Sequence, residues 1–144
     1  MDECEYKSIR SKLTPIPCAF EKSILALKTQ CLKSTKRNIA EREVVLCSSE
    51  HCSVRCNEWL KILRQKAQFA LHISDPMSVL PHSKEMKVQV GGILGLYKVL
   101  ELEPYEDDRP DIFRSLEACS ARLSNFEDAP FEEIIREVVH FRLR

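Results

Sequence analysis

Apolar residues recur through most of this chain at the three- and four-residue steps of a helix. Phe20, Ile24, Leu27 and Cys31 fall on one helical face, which turns Cys31 toward the core. A polar stretch over 33–38 reads as a turn. The segment 39–46 (IAEREVVL) reads as a short helix, although its Val44-Val45 pair also suits a strand. Ser48 and Ser49 are N-cap candidates for a long helix over 51–72. Its buried stripe is Cys52, Cys56, Trp59/Leu60, Leu63, Ala67 and Ala70, and Ser74-Asp75-Pro76 ends it.

A further helix is expected over 84–102, capped by Ser83 and apolar on two faces. It holds all three glycines, Gly91, Gly92 and Gly95. An interior glycine costs about 1 kcal/mol relative to alanine. The cluster therefore calls for close approach of another helix, the ordinary use of a small-residue groove, or for room beside a bulky cofactor. Asp108 and Pro110 mark the start of a helix carrying Ile112, Leu116, Cys119 and Leu123. Asp128 and Pro130 mark the last one, with Ile134, Val138 and Phe141 on its face. Pro15 and Pro17 leave 1–17 as an irregular arm. The expected fold is all-α, a compact single-domain bundle of about five or six helices over 18–144. Its N-terminal half is rich in cysteine.

Composition changes this picture little. Three glycines in 144 residues argue against a turn-rich sandwich or barrel. The start, MDECEYKSIR, has no apolar core of a secretory signal, so the expected compartment is the cytoplasm. The longest apolar run, over 90–97, is too short to span a bilayer, so no membrane partner is expected. Net charge is zero, but unevenly arranged. Residues 1–72 hold 13 Lys and Arg against 8 Asp and Glu, and residues 73–144 hold 9 against 14. The simplest reading is mutual attraction of the halves within one fold. The functional reading is a protein partner bound through the basic half, where Lys28, Lys33, Lys36, Arg37 and Arg42 cluster. Nucleic acid is the weaker form of that reading, since the stretch lacks interleaved aromatics.

Seven cysteines change the picture most. In a reducing compartment thiols stay free or bind metal, and an odd number cannot close as internal disulfides alone. Cys31, Cys47, Cys52 and Cys56 form C-x15-C-x4-C-x3-C, with Cys52 and Cys56 one turn apart on a helix. Structural zinc sites favour C-x2-C, which is absent here. A cubane cluster spreads its ligand sulfurs farther apart, which suits these spacings better, although neither ferredoxin run is matched. Cys31, Cys47, Cys52 and Cys56 are therefore the expected cofactor and metal ligands. The expected cofactor is an iron–sulfur cluster, [4Fe–4S] by preference, acting in electron transfer or redox sensing. Arg55, Lys36 and Arg37 would stabilise it by charge, and the Trp59/Leu60 face and the glycine helix would shield it. Two alternatives stand beside it. One is a helical interaction module that binds zinc or no metal; the other is a metal-dependent nucleic-acid-binding regulator. Cys18 is a reserve ligand, and His51 a substitute for one thiol. Cys119 reads as a core residue and Cys4 as part of the arm. No sequence signature of a catalytic serine, cysteine or metalloprotease site is present, and whether the chain is an enzyme stays open.

Overall fold

The computed structural model describes residues 16–143 apart from Tyr105. Most of the arm expected over 1–17, with Cys4, lies outside the described residues. The architecture is mixed α/β, which corrects the all-α expectation. The described residues form five helices and a two-stranded antiparallel sheet, β1 (Ser34–Ile39) and β2 (Arg42–Cys47).

The stretch expected to be a turn and a short helix is thus a β-hairpin. Its register pairs Ile39 with Arg42 and Ser34 with Cys47, leaving Ala40 and Glu41 as the turn. Val44, Val45 and Leu46 are all buried, the continuous apolar run of a strand covered on both faces. Val45 joins the main core, while Val44 and Leu46 form a smaller cluster with Ile39. Two adjacent β-branched valines lose less side-chain freedom in a strand than against a helical turn. β2 also has a partner on its other edge. The N–H of Cys47 donates to the Ile16 carbonyl at 2.9 Å, and the N–H of Cys18 donates to Val45 at 3.1 Å.

The first helix, α1, is only Glu21–Leu25. Leu27 then takes a left-handed backbone (φ 60°) and is 58% exposed, so the expected face through Leu27 to Cys31 is broken. Ser23 and Thr29, both buried, join hydroxyls at 2.8 Å across the bend. Next, Gln30 bridges to the far end of the chain. Its N–H donates to Pro110 at 3.0 Å, and its carbonyl accepts from Ile112 at 2.8 Å.

α2 spans Glu50–Lys66, with Ser49 as its cap; the Ser49 Oγ accepts the Cys52 N–H at 3.2 Å. It ends earlier than expected, in a turn where His72 is left-handed (φ 54°). α3 runs through His82–Met86, widens to a π-helical turn over Lys87–Gly91, and continues over Gly92–Val99. α4 spans Ile112–Arg122, capped by the Asp111 carboxylate, which accepts the Arg114 N–H at 2.9 Å. α5 is Phe131–His140. Fully buried Trp59 anchors the core between Phe126, edge-on at 5.5 Å, and Phe131, stacked at 5.8 Å.

The glycines of α3 serve helix contact, leaving no cofactor space beside them. A Cβ on Gly91 would lie 2.5 Å from the Val138 Cα, and one on Gly95 would lie 2.9 Å from the Ile134 Cα, both in α5. A buried polar chain ties α3 to its other neighbours. Gln89 accepts the Ser23 N–H at 3.1 Å and donates to Glu85 at 2.8 Å, while Arg64 donates to Glu85 at 2.6 Å. The uneven charge is partly used inside the fold. Arg55 pairs with Glu117, Arg64 with Glu85 and Lys66 with Glu127, each joining the basic half to the acidic one. Lys36 and Arg37 remain exposed on β1.

Two substitutions test this frame, and both invert the usual rule for their site. Gly91→Ala, favourable in an open helix, is expected to lower stability by about 1–3 kcal/mol through overpacking against α5. Ala40→Gly is expected to raise it by about 1 kcal/mol, since Ala40 sits at φ 51° where a Cβ is strained. Urea unfolding monitored by circular dichroism measures both.

Candidate functional site: a five-thiol cavity

One small cavity collects the cysteines. Cys18, Cys31, Cys47, Cys52 and Cys56 all line it, walled by Phe20, Ile112 and Phe113 with Lys33 and Arg55 at its margin. Its room is about 20 Å³, on the scale of one water molecule. Each thiol arrives by a different constraint. The pairing of 16–18 with β2 brings in Cys18, and the end of β2 places Cys47. The Ser49 cap sets the first turn of α2, which carries Cys52, with Cys56 one turn on. The Gln30 bridge sets Cys31 against the N-terminal turn of α4, where Ile112 and Phe113 lie.

Backbone amides are aimed at two of the sulfurs. The Phe20 N–H donates to Cys18 Sγ at 3.4 Å. Cys31 is likewise favoured toward its charged form by the backbone N–H groups of Lys33 and Phe113. Phe20 and Lys33 each lie two residues after their cysteine, while Phe113 reaches Cys31 from the start of α4. Cys47 instead donates its own S–H to the Ser49 carbonyl at 3.1 Å.

Burial nevertheless dominates the electrostatics. Desolvation pushes the Cys18 thiol up to about 12, partly offset by the Phe20 amide. Desolvation likewise raises Cys31, with the Asp111 carboxylate adding to the rise. Cys56 is raised well above the ordinary thiol range, first by desolvation and then by the nearby Cys31, Cys18 and Cys47. Negative charge on a neighbouring thiol, Cys47 included, adds to the cost of ionising Cys18, Cys31 or Cys56. Raised thiols are poor nucleophiles, which disfavours covalent thiol chemistry at neutral pH.

The four cysteines singled out by spacing therefore lie at one cavity, and Cys18 joins them. Among the described residues, no three His, Cys, Asp or Glu side chains already stand in an arrangement that holds a metal ion. His51 lies elsewhere. It lines a neighbouring open groove of about 610 Å³ with Val54, Glu58, Glu117 and Asn125, which Arg55 also borders. Cys119 is fully buried in the main core. The wall residues differ from expectation as well: Phe20, Ile112 and Phe113 close the cavity, while the glycine helix packs on α5. Lys33 borders the cavity, whereas Lys36 and Arg37 are exposed on β1.

No family model, curated protein or solved structure matches the chain.

The raised thiols fix a pH dependence for the metal-free chain. The folded protein holds the protons of Cys18, Cys31 and Cys56 more tightly than an unfolded chain, whose thiols ionise near ~8.5. Their contribution to stability is complete below that pH and is lost as pH climbs toward about 12, the Cys18 value. Urea midpoints of chelator-treated protein should be level across neutral pH and fall through the alkaline range. Alkylation by iodoacetamide should be slow at pH 7 unless urea is added. Fast native alkylation of Cys18 and Cys56 would contradict the burial described.

Proposed function

We propose that the five-thiol cavity is a structural metal centre that binds a single thiolate-held ion, zinc by preference. It joins the N-terminal segment, the hairpin and the start of α2 into one unit. The observation that carries this reading is the gathering of Cys18, Cys31, Cys47 and Cys56 around one cavity. Buried thiols that are costly to ionise side by side are relieved together by one divalent cation, and four thiolates match the tetrahedral preference of zinc. The donors come from chain-distant segments, as in a centre that stabilises a fold. Cys52 borders the same cavity as a fifth thiol.

Size favours one ion over a cluster. Room of about 20 Å³ accepts an ion once the thiols turn inward. A four-iron cubane needs Phe20, Ile112 and Phe113 to move apart. Loading also requires Cys47 to give up its bond to the Ser49 carbonyl. Binding then completes the site during closure, as is usual where metal and folding are coupled.

Elemental analysis of protein purified without chelator tests the reading. About one zinc per chain is expected for a mononuclear site. Zinc at a thousandfold its Kd should raise the unfolding free energy by about 4 kcal/mol. Cys18→Ala and Cys56→Ala should each reduce zinc retention, while Cys119→Ala should leave it at the wild-type level. Iron with acid-labile sulfide from an anaerobic preparation would replace zinc with an iron–sulfur cluster. Wild-type protein that takes up neither metal, and melts identically with and without zinc, would overturn the metal centre altogether.

A further inference from the structure

Arg55 is the most unusual charged residue in the fold. It precedes Cys56 on α2 and is only 8% exposed. One guanidinium nitrogen, Nη1, donates to the Glu117 carboxylate at 2.8 Å, close to solvent. The other two, Nε and Nη2, are buried and have no hydrogen-bond partner among the described residues. The guanidinium carbon lies 5.5 Å from the centre of the Phe113 ring, part of the cavity wall. Lys33 approaches that ring too, at 5.1 Å. Leaving two guanidinium donors buried and unbonded is costly, more so than for neutral groups. Such an arrangement calls for an acceptor that the metal-free site does not offer.

We infer that Arg55 is a positioning residue for the metal centre, donating N–H···S hydrogen bonds from Nε and Nη2 to metal-bound thiolates in the cavity it borders. This rests on the metal-centre reading and deepens it. A neutral thiol is a weak acceptor, whereas a thiolate is a strong one and carries the opposite charge. Four thiolates around one divalent ion leave two net negative charges, and a buried guanidinium offsets one of them. Phe113 limits the swing of the guanidinium from one side, and Glu117 holds its outer nitrogen. The guanidinium is therefore restrained before any ion arrives. Lysine would supply the charge without the second directed donor.

The experiment measures zinc affinity of the full chain by competition with a chromophoric chelator, in wild type, Arg55→Met, Arg55→Lys and Glu117→Gln. Loss of an outer-shell partner typically weakens metal binding about 10–100-fold, and Arg55→Met should fall in that range. Arg55→Lys should lie between it and wild type, and Glu117→Gln, whose amide oxygen still accepts from Nη1, should weaken binding less than Arg55→Met does. The zinc-free forms separate positioning from folding. Arg55→Met removes two unpaired donors, so its zinc-free melting point should be no lower than that of Glu117→Gln. Cobalt in place of zinc gives a spectroscopic readout. Without N–H···S donors the sulfur lone pairs are easier to oxidise, so the sulfur-to-cobalt band should move to longer wavelength in Arg55→Met. Wild type that loads zinc, with Arg55→Met matching it in affinity and spectrum, overturns this role alone. A zinc-free Arg55→Met that melts well below Glu117→Gln also overturns it, in favour of a purely structural guanidinium. Wild type that binds no metal overturns the metal centre itself, and this role with it.

Discussion

β2 has backbone partners on both edges, and the geometry of the cavity descends from that pairing. On one side β1 fixes the register from Ile39–Arg42 to Ser34–Cys47. On the other, residues 16–18 are held by Cys47 and Val45. These hydrogen bonds bring Cys18 and Cys47 to the same cavity although 28 residues separate them in the chain. Here the central strand buries both its faces, and Val44-Val45-Leu46 supplies the apolar run for that. Ser48 and Ser49 then lead directly into α2, so the strand end and the helix start are rigidly joined.

The second constraint is the bridge from Gln30 to Asp111, which closes the cavity from the opposite side. It seats Cys31 against the N-terminal turn of α4 and delivers Phe113 as both wall and platform for two cations. The helices behind it are fixed by different means. α3 and α5 approach through glycines without side-chain layers between them, and the Gln89–Glu85–Arg64 chain links α1, α3 and α2. The chemistry thus sits where the sheet meets the start of two helices, and the glycine-lined contact belongs to the supporting core.

The cysteine density was legible in the sequence because thiols so close in an otherwise ordinary composition need a reason. Their convergence was expected from the one-turn spacing of Cys52 and Cys56 and from a helical face ending at Cys31; that face is broken at Leu27, and the Gln30 bridge places Cys31 instead. The place of Cys18 was not legible, since a cross-strand partner has no periodic signature along the chain. The hairpin hid for a related reason. Its turn, Ala40-Glu41, has neither glycine nor asparagine, and the strain at Ala40 is carried by pairing on either side. Leu27 misled in the other direction. It falls at a helical interval, but Lys28 and Thr29 both hydrogen-bond back to the Ser23 carbonyl and end the helix before it. The glycines were legible as a packing device because glycine has few other uses inside a helix.

The Gln30–Asp111 bridge also sets an order of events at the ribosome. Cys18, Cys31, Cys47, Cys52 and Cys56 are all synthesised before Ile112 and Phe113 exist to cover them. At ordinary elongation rates, roughly 4–16 s separate Cys31 from Phe113. Within that interval the hairpin and α2 are synthesised, but the thiols lack the wall that desolvates them in the finished fold. Nascent chains are therefore the form in which these cysteines are most open to ions, oxidants and chaperones, and completion of α4 ends that exposure.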